Sequence, residues 1–297
     1  MKILIAALDQ TYNFTVPLLE ADGHEVLLLT HCYKLPLFFG TPECKAYVLQ
    51  QITEFEPDLV INAVPSIVLP ESSEYNYLGN TEASSRLETH KWETREKAAE
   101  LGWSLPTVLE ECNLDTMSPQ SGKTYLKPKG LSTLASAIQV PANTVHNDVL
   151  PPNIPAFVEQ DLDYDYAADC MFTVANGAYH ISRIVGYSSE GAGNEKLIEA
   201  GPNWTDIYTL VTLPTAAEDA FIVKCRAWLD YVVTLGGNYS GNLGGGITSS
   251  NEIYWFEHNA RPPNYCTSFR EGTVQDWLDG LTTDPTKTPY VLHSTET

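Results

Sequence analysis

The amino-acid sequence predicts an α/β protein in which a small parallel-sheet domain precedes a larger part of α+β character. In the first 80 residues, short apolar runs alternate with helical segments, as in right-handed βαβ units around a parallel sheet. Beyond them the alternation is lost, and the last apolar strand follows a glycine-rich one through a tight turn, which indicates antiparallel pairing. With 297 residues the chain exceeds the usual size of one hydrophobic core, so we expect two or three subdomains.

The N-terminal domain is predicted to end at about residue 80. Its continuous apolar runs are typical of buried parallel strands. The predicted strands are 2–8, 25–31 and 57–64, and the predicted helices are 11–21 and 43–55. The first turn, LDQTYN at 8–13, lacks the glycines that bring a backbone against a pyrophosphate, which excludes a dinucleotide cofactor here. The segment 65–80 contains two prolines and is predicted to be a crossover loop.

A single strong helix is predicted over 81–101, with Gly102 in the C-terminal capping position. The next segment, TYLKPKGLSTLASAI, predicts a short strand ending in Lys127, followed by a turn with Lys129 and Gly130. Backbone amides and two ammonium groups in such a turn would suit the phosphates of a nucleotide. Because the turn has a single glycine, an ordinary hairpin explains it about as well.

The middle of the chain predicts a linker, an acidic segment and a helix. Prolines at 151, 152 and 155 indicate the linker, and an apolar run then ends at Glu159. The spaced acids Asp161, Asp163 and Asp165 lack the glycine and the closing glutamate of a calcium loop, which excludes one. Strands are expected from 167 and over 179–189. A helix over 216–235 should bury a face formed by Phe221, Val223, Cys225, Trp228, Leu229, Val232 and Val233.

The strand IYWFEHNARPP, 253–263, carries the strongest functional signal. A glycine-rich strand before it is predicted to pair with it through a hairpin at 249–251. Alternation along the strand puts Glu257, Asn259 and Arg261 on one face and His258 on the other. Carboxylate and amide oxygens suit Mg²⁺, and a guanidinium can hold a carboxylate or phosphate through two hydrogen bonds. A solvated polar strand end is the alternative interpretation.

Composition excludes several functional classes. The formal net charge of -21 disfavours an extended nucleic-acid surface or binding to anionic membranes. The N-terminal run MKILIAALDQ lacks the features of a signal peptide, and no segment has the length of a membrane-spanning helix. Six scattered cysteines with no close pair predict reduced thiols. Together these features lead us to expect a cytoplasmic protein.

The order of these segments resembles the ATP-grasp superfamily. The resemblance is carried by YLGNTEASSRLETHKWETREKAAELGWSLPT, by AFVEQDLDYDYAADC and by YSGNLGGGI with IYWFEHNAR, in order along nearly the whole chain. Within the superfamily the chain is most similar to the glycinamide ribonucleotide synthetases, or phosphoribosylamine–glycine ligases. This implies a Rossmann-like domain at 1–80 and an ATP-grasp domain at 81–297, with a mobile ATP lid at about 121–160 and a core at about 161–280.

The resemblance also implies roles for individual residues. Lys91 and Lys127 would hold the ATP phosphates, under a closing loop that contains Lys129 and Gly130. Glu159 with the backbone of Gln160 and Leu162 would recognise adenine, and Asp165 would bind the ribose. Glu257 and Asn259 would coordinate Mg²⁺ or Mn²⁺. Arg261 and Lys127 would contact the transferred phosphoryl group. Arg183 and Asn242 are candidate substrate contacts, although Arg183 could equally form a salt bridge at the rim.

The implied activity is an ATP-dependent carboxylate–amine ligase that works through an acyl phosphate. However, the family's glycine-rich substrate loops are replaced by LDQTYN and by SSEGAGNEKLIEAGPNW. The segment after the predicted metal strand, PPNYCTSF, also departs from the family, and the family's C-terminal domain is expected to be missing. We therefore expect different small-molecule substrates, such as an amino acid joined to a small amine or a modified nucleotide. True glycinamide ribonucleotide synthetase activity in purine biosynthesis and a non-catalytic nucleotide-binding regulator are the alternatives. The family is often dimeric, which leaves a homodimer open.

Overall fold

The computed structural model describes residues 1–7, 15–30, 42–70, 72–130, 138–145, 152–188, 210–261, 278–280 and 286. These residues form three β-sheets with helices packed against them. The segment 8–13 and most of 188–204, which replace the substrate loops of the resembled family, lie outside the described residues, as does the segment 262–269. Residues 131–137 and 146–151 of the predicted lid are also outside them. Within the described parts of the chain, no helix is long and apolar enough to cross a membrane.

The N-terminal sheet is parallel, as predicted. Its strands are β1 (Lys2–Ala6), β2 (Glu25–Leu29), β3 (Leu59–Asn62) and β4 (Asn76–Leu78), in the order β2-β1-β3-β4. Helices α1 (Thr15–Ala21) and α2 (Pro42–Phe55) connect them. Ile3, Leu4 and Ile5 are fully buried because both faces of the sheet are covered. The prediction of a crossover loop throughout 65–80 is wrong at β4, a three-residue strand whose position is set by parallel pairing with β3.

The predicted helix 81–101 is two helices, α3 (Glu82–Thr89) and α4 (Lys91–Glu100). They are separated at His90, whose backbone leaves the helical region at φ -113 and ψ 71. The amide of Trp92, in the first turn of α4, donates at 3.1 Å to the carbonyl of Lys129, which directly follows a strand of a neighbouring sheet. A tertiary hydrogen bond therefore replaces an intrahelical one, and the break makes Lys91 the first residue of a new helix.

A second sheet is antiparallel and contains β5 (Val108–Asn113), β6 (Thr124–Pro128), β7 (Ile138–Val140) and β8 (Pro155–Gln160), in the order β5-β8-β6-β7. Strand β5 has no counterpart among the predicted strands, and it extends this sheet upstream of the predicted lid range. Pro155 was predicted to be part of a linker, which is wrong, because it begins β8. The first position of a strand tolerates proline since its missing amide is not needed there.

The third sheet carries the C-terminal part of the fold. It is antiparallel, with β9 (Tyr166–Ala175), β10 (Ala178–Ser188), β11 (Leu210–Val211), β12 (Tyr239–Ile247) and β13 (Ile253–Asn259) in the order β11-β10-β9-β12-β13. Helix α5 (Thr215–Leu235) packs on one face around Phe172, Trp228 and Trp255. The predicted hairpin between β12 and β13 is confirmed. Val223 was predicted to lie on the buried face of α5 but is 64% exposed, because it lies two residues after Phe221 and thus nearly opposite on the helix.

The cysteines differ from the prediction at one position. Cys112, Cys170 and Cys225 are free thiols. Cys44, on α2, is disulfide-bonded, and its partner lies outside the described residues. The prediction of reduced thiols is therefore wrong for Cys44, because spacing along the sequence does not show which cysteines the fold brings together.

Candidate functional site

A cleft lies where the N-terminus of α4 and strands β6, β8 and β13 meet. It opens to solvent and has an empty volume of about 310 Å³. Its walls are formed by Leu87, Lys91, Thr94, Arg95, Lys127, Phe157, Glu159, Trp255, Phe256, Glu257 and His258. Lys91, Lys127, Glu159 and Glu257, four of the predicted site residues, thus line one cleft although they come from distant parts of the sequence.

Glu159 is the centre of a charged group on the floor of this cleft. Its carboxylate accepts from Lys127 Nζ at 2.6 Å and from Arg95 Nε at 2.8 Å, and Glu159 is only 3% exposed. Arg95 also donates to the carbonyl of Pro106. Because one carboxylate faces two cations, the group retains a net positive charge. Sequence reasoning missed Arg95, although it lies four residues after Lys91 and therefore on the same face of α4.

Glu257 and Lys91 face each other across the cleft, with 3.9 Å between Oε2 and Nζ. Burial lowers the pKa of Lys91, an effect that the Glu257 carboxylate opposes and Lys127 reinforces. Burial raises the pKa of Glu257, but Lys91, a hydrogen bond from Asn259, Lys127 and Arg261 together outweigh it, so that this pKa lies below its ordinary value. Glu257 is therefore an ionised carboxylate at neutral pH.

Asn259 lies beside Glu257 on the same face of β13. Its Nδ2 donates to Glu257 Oε1 at 3.0 Å, which leaves the amide oxygen as the atom that can coordinate a cation. A carboxylate next to an amide oxygen is a donor set that fits Mg²⁺. The intervening His258 points the other way, as alternation predicts: it is buried, and its Nδ1 accepts from Trp228 Nε1 at 3.1 Å.

Arg261 is held by Glu88, a buried residue of α3 that sequence reasoning missed. Arg261 Nε donates to Glu88 Oε1 at 3.0 Å, and the amide of Ala260 donates to Oε2 of the same carboxylate at 2.8 Å. The carbonyl of Ala260 accepts from Asn80 Nδ2 at 2.9 Å. The backbone amide and carbonyl of Ala260 are thus hydrogen-bonded to Glu88 of α3 and to Asn80, just before α3. These bonds fix the direction in which the chain leaves β13.

The other residues predicted to bind the nucleotide do not line this cleft. The ammonium of Lys129 pairs with Glu111 and lies 4.1 Å from the centre of the Trp92 ring, so it does not line the cleft described above. The amide of Gln160 donates to the carbonyl of Thr107 at 2.9 Å, which leaves only its carbonyl for a base. Three further predicted residues, Gly130, Leu162 and Asp165, also lie outside the residues that line the cleft.

Arg183 and Asn242 share the sheet face that carries Asn259. Register pairing aligns Arg183 with Met171, Met171 with Asn242, and Asn242 with Asn259, so that these residues form one row across β10, β9, β12 and β13. Arg183 is exposed, whereas Asn242 is buried and donates to Asp169 Oδ1 at 3.1 Å.

Comparison with known proteins finds similarity in structure but not in sequence. No protein-family model and no curated protein sequence matches the chain. An L-amino acid ligase from Bacillus licheniformis superposes with a TM-score of 0.56 at 15% identity, over 88% of this chain and 66% of that one. This chain therefore spans slightly less than two thirds of the length of that ligase.

Two further solved structures show the same relationship. A phosphoribosylamine–glycine ligase from Thermotoga maritima has a TM-score of 0.57 at 15% identity, over 89% of this chain and 70% of that one. A D-alanine–D-alanine ligase from Bacillus anthracis, solved with ATP, has a TM-score of 0.55 at 14% identity, over 88% and 85%. The described sheets and their order, together with these superpositions, show that the chain has the ATP-grasp fold.

Proposed function

We propose that the protein is an ATP-dependent ligase that joins a carboxylate to an amine. The observation that carries this proposal is the convergence of Lys91, Lys127, Glu257 and Asn259 around one cleft: Lys91, Lys127 and Glu257 line it, and Asn259 is hydrogen-bonded to Glu257. The names of the similar structures support the reaction class, since they include an L-amino acid ligase, a phosphoribosylamine–glycine ligase and a D-alanine–D-alanine ligase. The substrate pair is proposed only as a small carboxylate, such as an amino acid, and a small amine.

In this proposal the cations of the cleft bind the phosphates of ATP. Lys91 and Lys127 contact them directly, while Glu159 keeps Lys127 in position. Glu257 and Asn259 would hold Mg²⁺ or Mn²⁺, which would offset negative charge on the phosphate oxygens. The adenine and ribose would be bound by Glu159 to Leu162 and by Asp165, and the segment containing Lys129 and Gly130 would close over the phosphates, as the sequence resemblance implies.

The reaction needs stabilisation of charge more than covalent help from the protein. A carboxylate oxygen of the first substrate attacks the γ-phosphorus, the bond to ADP breaks, and an acyl phosphate forms. The amine nitrogen then attacks the acyl carbon, phosphate leaves, and the ammonium proton passes to solvent. Lys127 and Arg261 would neutralise charge on the transferred group, and Glu88 holds the Arg261 guanidinium in a fixed direction.

The test is amine-dependent release of ADP. The protein is incubated with Mg²⁺, ATP and pairs drawn from a panel of amino acids and amines, and ADP is measured for the wild type, for Glu257→Gln and for Asp219→Asn. Asp219 lies exposed on α5, away from the cleft, and serves as the matched control. We expect at least one pair to release ADP with the wild type and the control, and Glu257→Gln to lose this activity. The absence of ADP release with every pair would overturn the proposal.

A second candidate function is a nucleotide-binding protein without catalysis. One observation favours it: the ammonium groups of Lys127 and Lys129 are already paired with Glu159 and Glu111. Calorimetry separates the two functions, because tight binding of ATP with Mg²⁺ but no turnover of any substrate pair would support the second. True glycinamide ribonucleotide synthetase activity is tested by growth of a purine auxotroph that carries this chain.

A further inference from the structure

Asp169 places a second carboxylate near Glu257, although the two residues are on strands separated by β12. Register pairing aligns Asp169 on β9 with Gly244 on β12, and Gly244 with Glu257 on β13. A Cβ atom added to Gly244 would lie 3.2 Å from Asp169 Oδ1 and 3.7 Å from Glu257 Cγ. The side chains of Asp169 and Glu257 thus flank one gap on the same face of the sheet, and this gap exists because residue 244 has no side chain.

Asn242 supplies a second, independent observation at the same place. It is 3% exposed, and its Nδ2 donates to Asp169 Oδ1 at 3.1 Å, which puts its amide group next to this carboxylate. The other atom of the amide, Oδ1, is buried and has no hydrogen-bond partner. Buried acceptors in folded proteins are nearly always satisfied, so an unpaired oxygen beside a carboxylate points to a ligand that carries positive charge.

The groups around the gap are rich in oxygen acceptors. Besides the two carboxylates, amide oxygens lie nearby on Asn242, which is hydrogen-bonded to Asp169, and on Asn259, which is the register partner of Asn242 and donates to Glu257. No group of three or more His, Cys, Asp or Glu side chains that could hold a metal occurs among the described residues, so any metal here depends on the amide oxygens as well. Carboxylate and amide oxygens are the ligands of hard divalent cations.

We propose that Asp169, positioned by Asn242, is a further ligand of divalent metal in the nucleotide site and reaches it through the gap at Gly244. This inference rests on the proposed function, in which Glu257 and Asn259 hold the metal. Asp169 would add a carboxylate to the residues that hold the metal, reaching it through this gap. A side chain at 244 would obstruct the approach, since its Cβ would be in tight contact with Asp169 Oδ1.

The experiment measures Mn²⁺ binding to the whole protein in the presence of a non-hydrolysable ATP analogue, using the paramagnetic resonance signal of free Mn²⁺. Asp169→Asn is compared with the wild type, with Glu257→Gln and with the exposed control Asp219→Asn. We expect Asp169→Asn to weaken Mn²⁺ binding at least tenfold or to reduce the number of bound ions. The control should match the wild type, and affinity for the analogue without metal should be unchanged in Asp169→Asn.

Other results of the Mn²⁺-binding experiment would contradict the role of Asp169, the proposed function or both. If Glu257→Gln weakens Mn²⁺ binding and Asp169→Asn does not, the role of Asp169 is wrong while the proposed function stands. If neither variant changes Mn²⁺ binding, both proposals fail. Unchanged Mn²⁺ binding in Asp169→Asn with a raised KM for an amine would assign Asp169 to the ammonium of a substrate instead. Should Asp169→Asn not fold, Gly244→Ala decides, because it keeps the carboxylate and narrows the gap; unaltered Mn²⁺ binding there would overturn the inference.

Discussion

Acidification should destabilise the fold through His258, which anchors β13 to the core. This side chain is buried and accepts a hydrogen bond from Trp228, and burial lowers its pKa from an ordinary value of 6.5 to about 3. In the unfolded chain the imidazole takes up a proton at higher pH than in the folded protein. The stability that depends on a neutral His258 is therefore fully present above about pH 6.5 and is lost progressively as the pH falls towards 3.

The size of the effect follows from the two pKa values. Below the pKa of His258 in the unfolded chain, each decrease of one pH unit lowers the free energy of unfolding by about 1.4 kcal/mol. This holds as long as His258 stays neutral in the folded protein. Between pH 7 and pH 5 the contribution of His258 amounts to about 2 kcal/mol, a substantial part of the total of about 5–15 kcal/mol typical of a domain.

The assay is urea unfolding at pH 7, 6 and 5, followed by tryptophan fluorescence, because Trp228 and Trp255 lie in the same core as His258. Two variants that cannot titrate at this position, His258→Phe and His258→Gln, are compared with the wild type, so that the contributions of all other groups cancel. His258→Gln keeps a hydrogen-bond acceptor for Trp228, which separates the loss of charge from the loss of packing. Equal pH dependence in the wild type and both variants would show that protonation of His258 does not destabilise the fold.

Two further substitutions test how the site is held in place. Glu88→Gln leaves one of its two donors without an acceptor and loosens Arg261, and we expect urea unfolding to show a loss of about 1–3 kcal/mol; a change within error would contradict the role of Glu88. Gly241→Ala would bring a Cβ against the backbone carbonyl of Asn259 and to 2.6 Å from Phe172, and it should cost about 1–3 kcal/mol. Gly122→Ala, whose Cβ meets nothing within 4 Å, should change little. Equal stability of the two alanine variants would show that β12 can move to make room.

The N-terminal sheet was predictable because buried parallel strands are continuous apolar runs. Strands β1, β2 and β3 follow this rule, and their parallel order is confirmed. The short strands β4 and β5 were missed because pairing with a neighbouring strand defines them, and they have no apolar pattern of their own. The break at His90 was missed for a related reason, since it depends on a hydrogen bond between Trp92 and Lys129.

The site was predictable to the extent that its residues lie on regular strands. Alternation alone predicts that Glu257 and Asn259 share a face, and the hydrogen bond between them agrees with this. Glu88 and Arg95 were missed because a charge on a helix ordinarily indicates a solvated surface. Only the packing of α3 and α4 against β13 and the second sheet buries Glu88 and brings Arg95 to Glu159.

Calorimetric titration with ATP in excess Mg²⁺ shows whether the cleft binds ATP through Lys91 and its neighbours. The wild type is compared with Lys91→Met and with Lys45→Met, in which an exposed lysine of α2 is replaced. We expect the wild type and Lys45→Met to bind ATP equally, and Lys91→Met to bind at least about tenfold more weakly, since a hydrogen bond to a charged group contributes about 1.5–3 kcal/mol. No binding of ATP by the wild type, or equal affinity in Lys91→Met, would show that Lys91 does not bind ATP in this cleft.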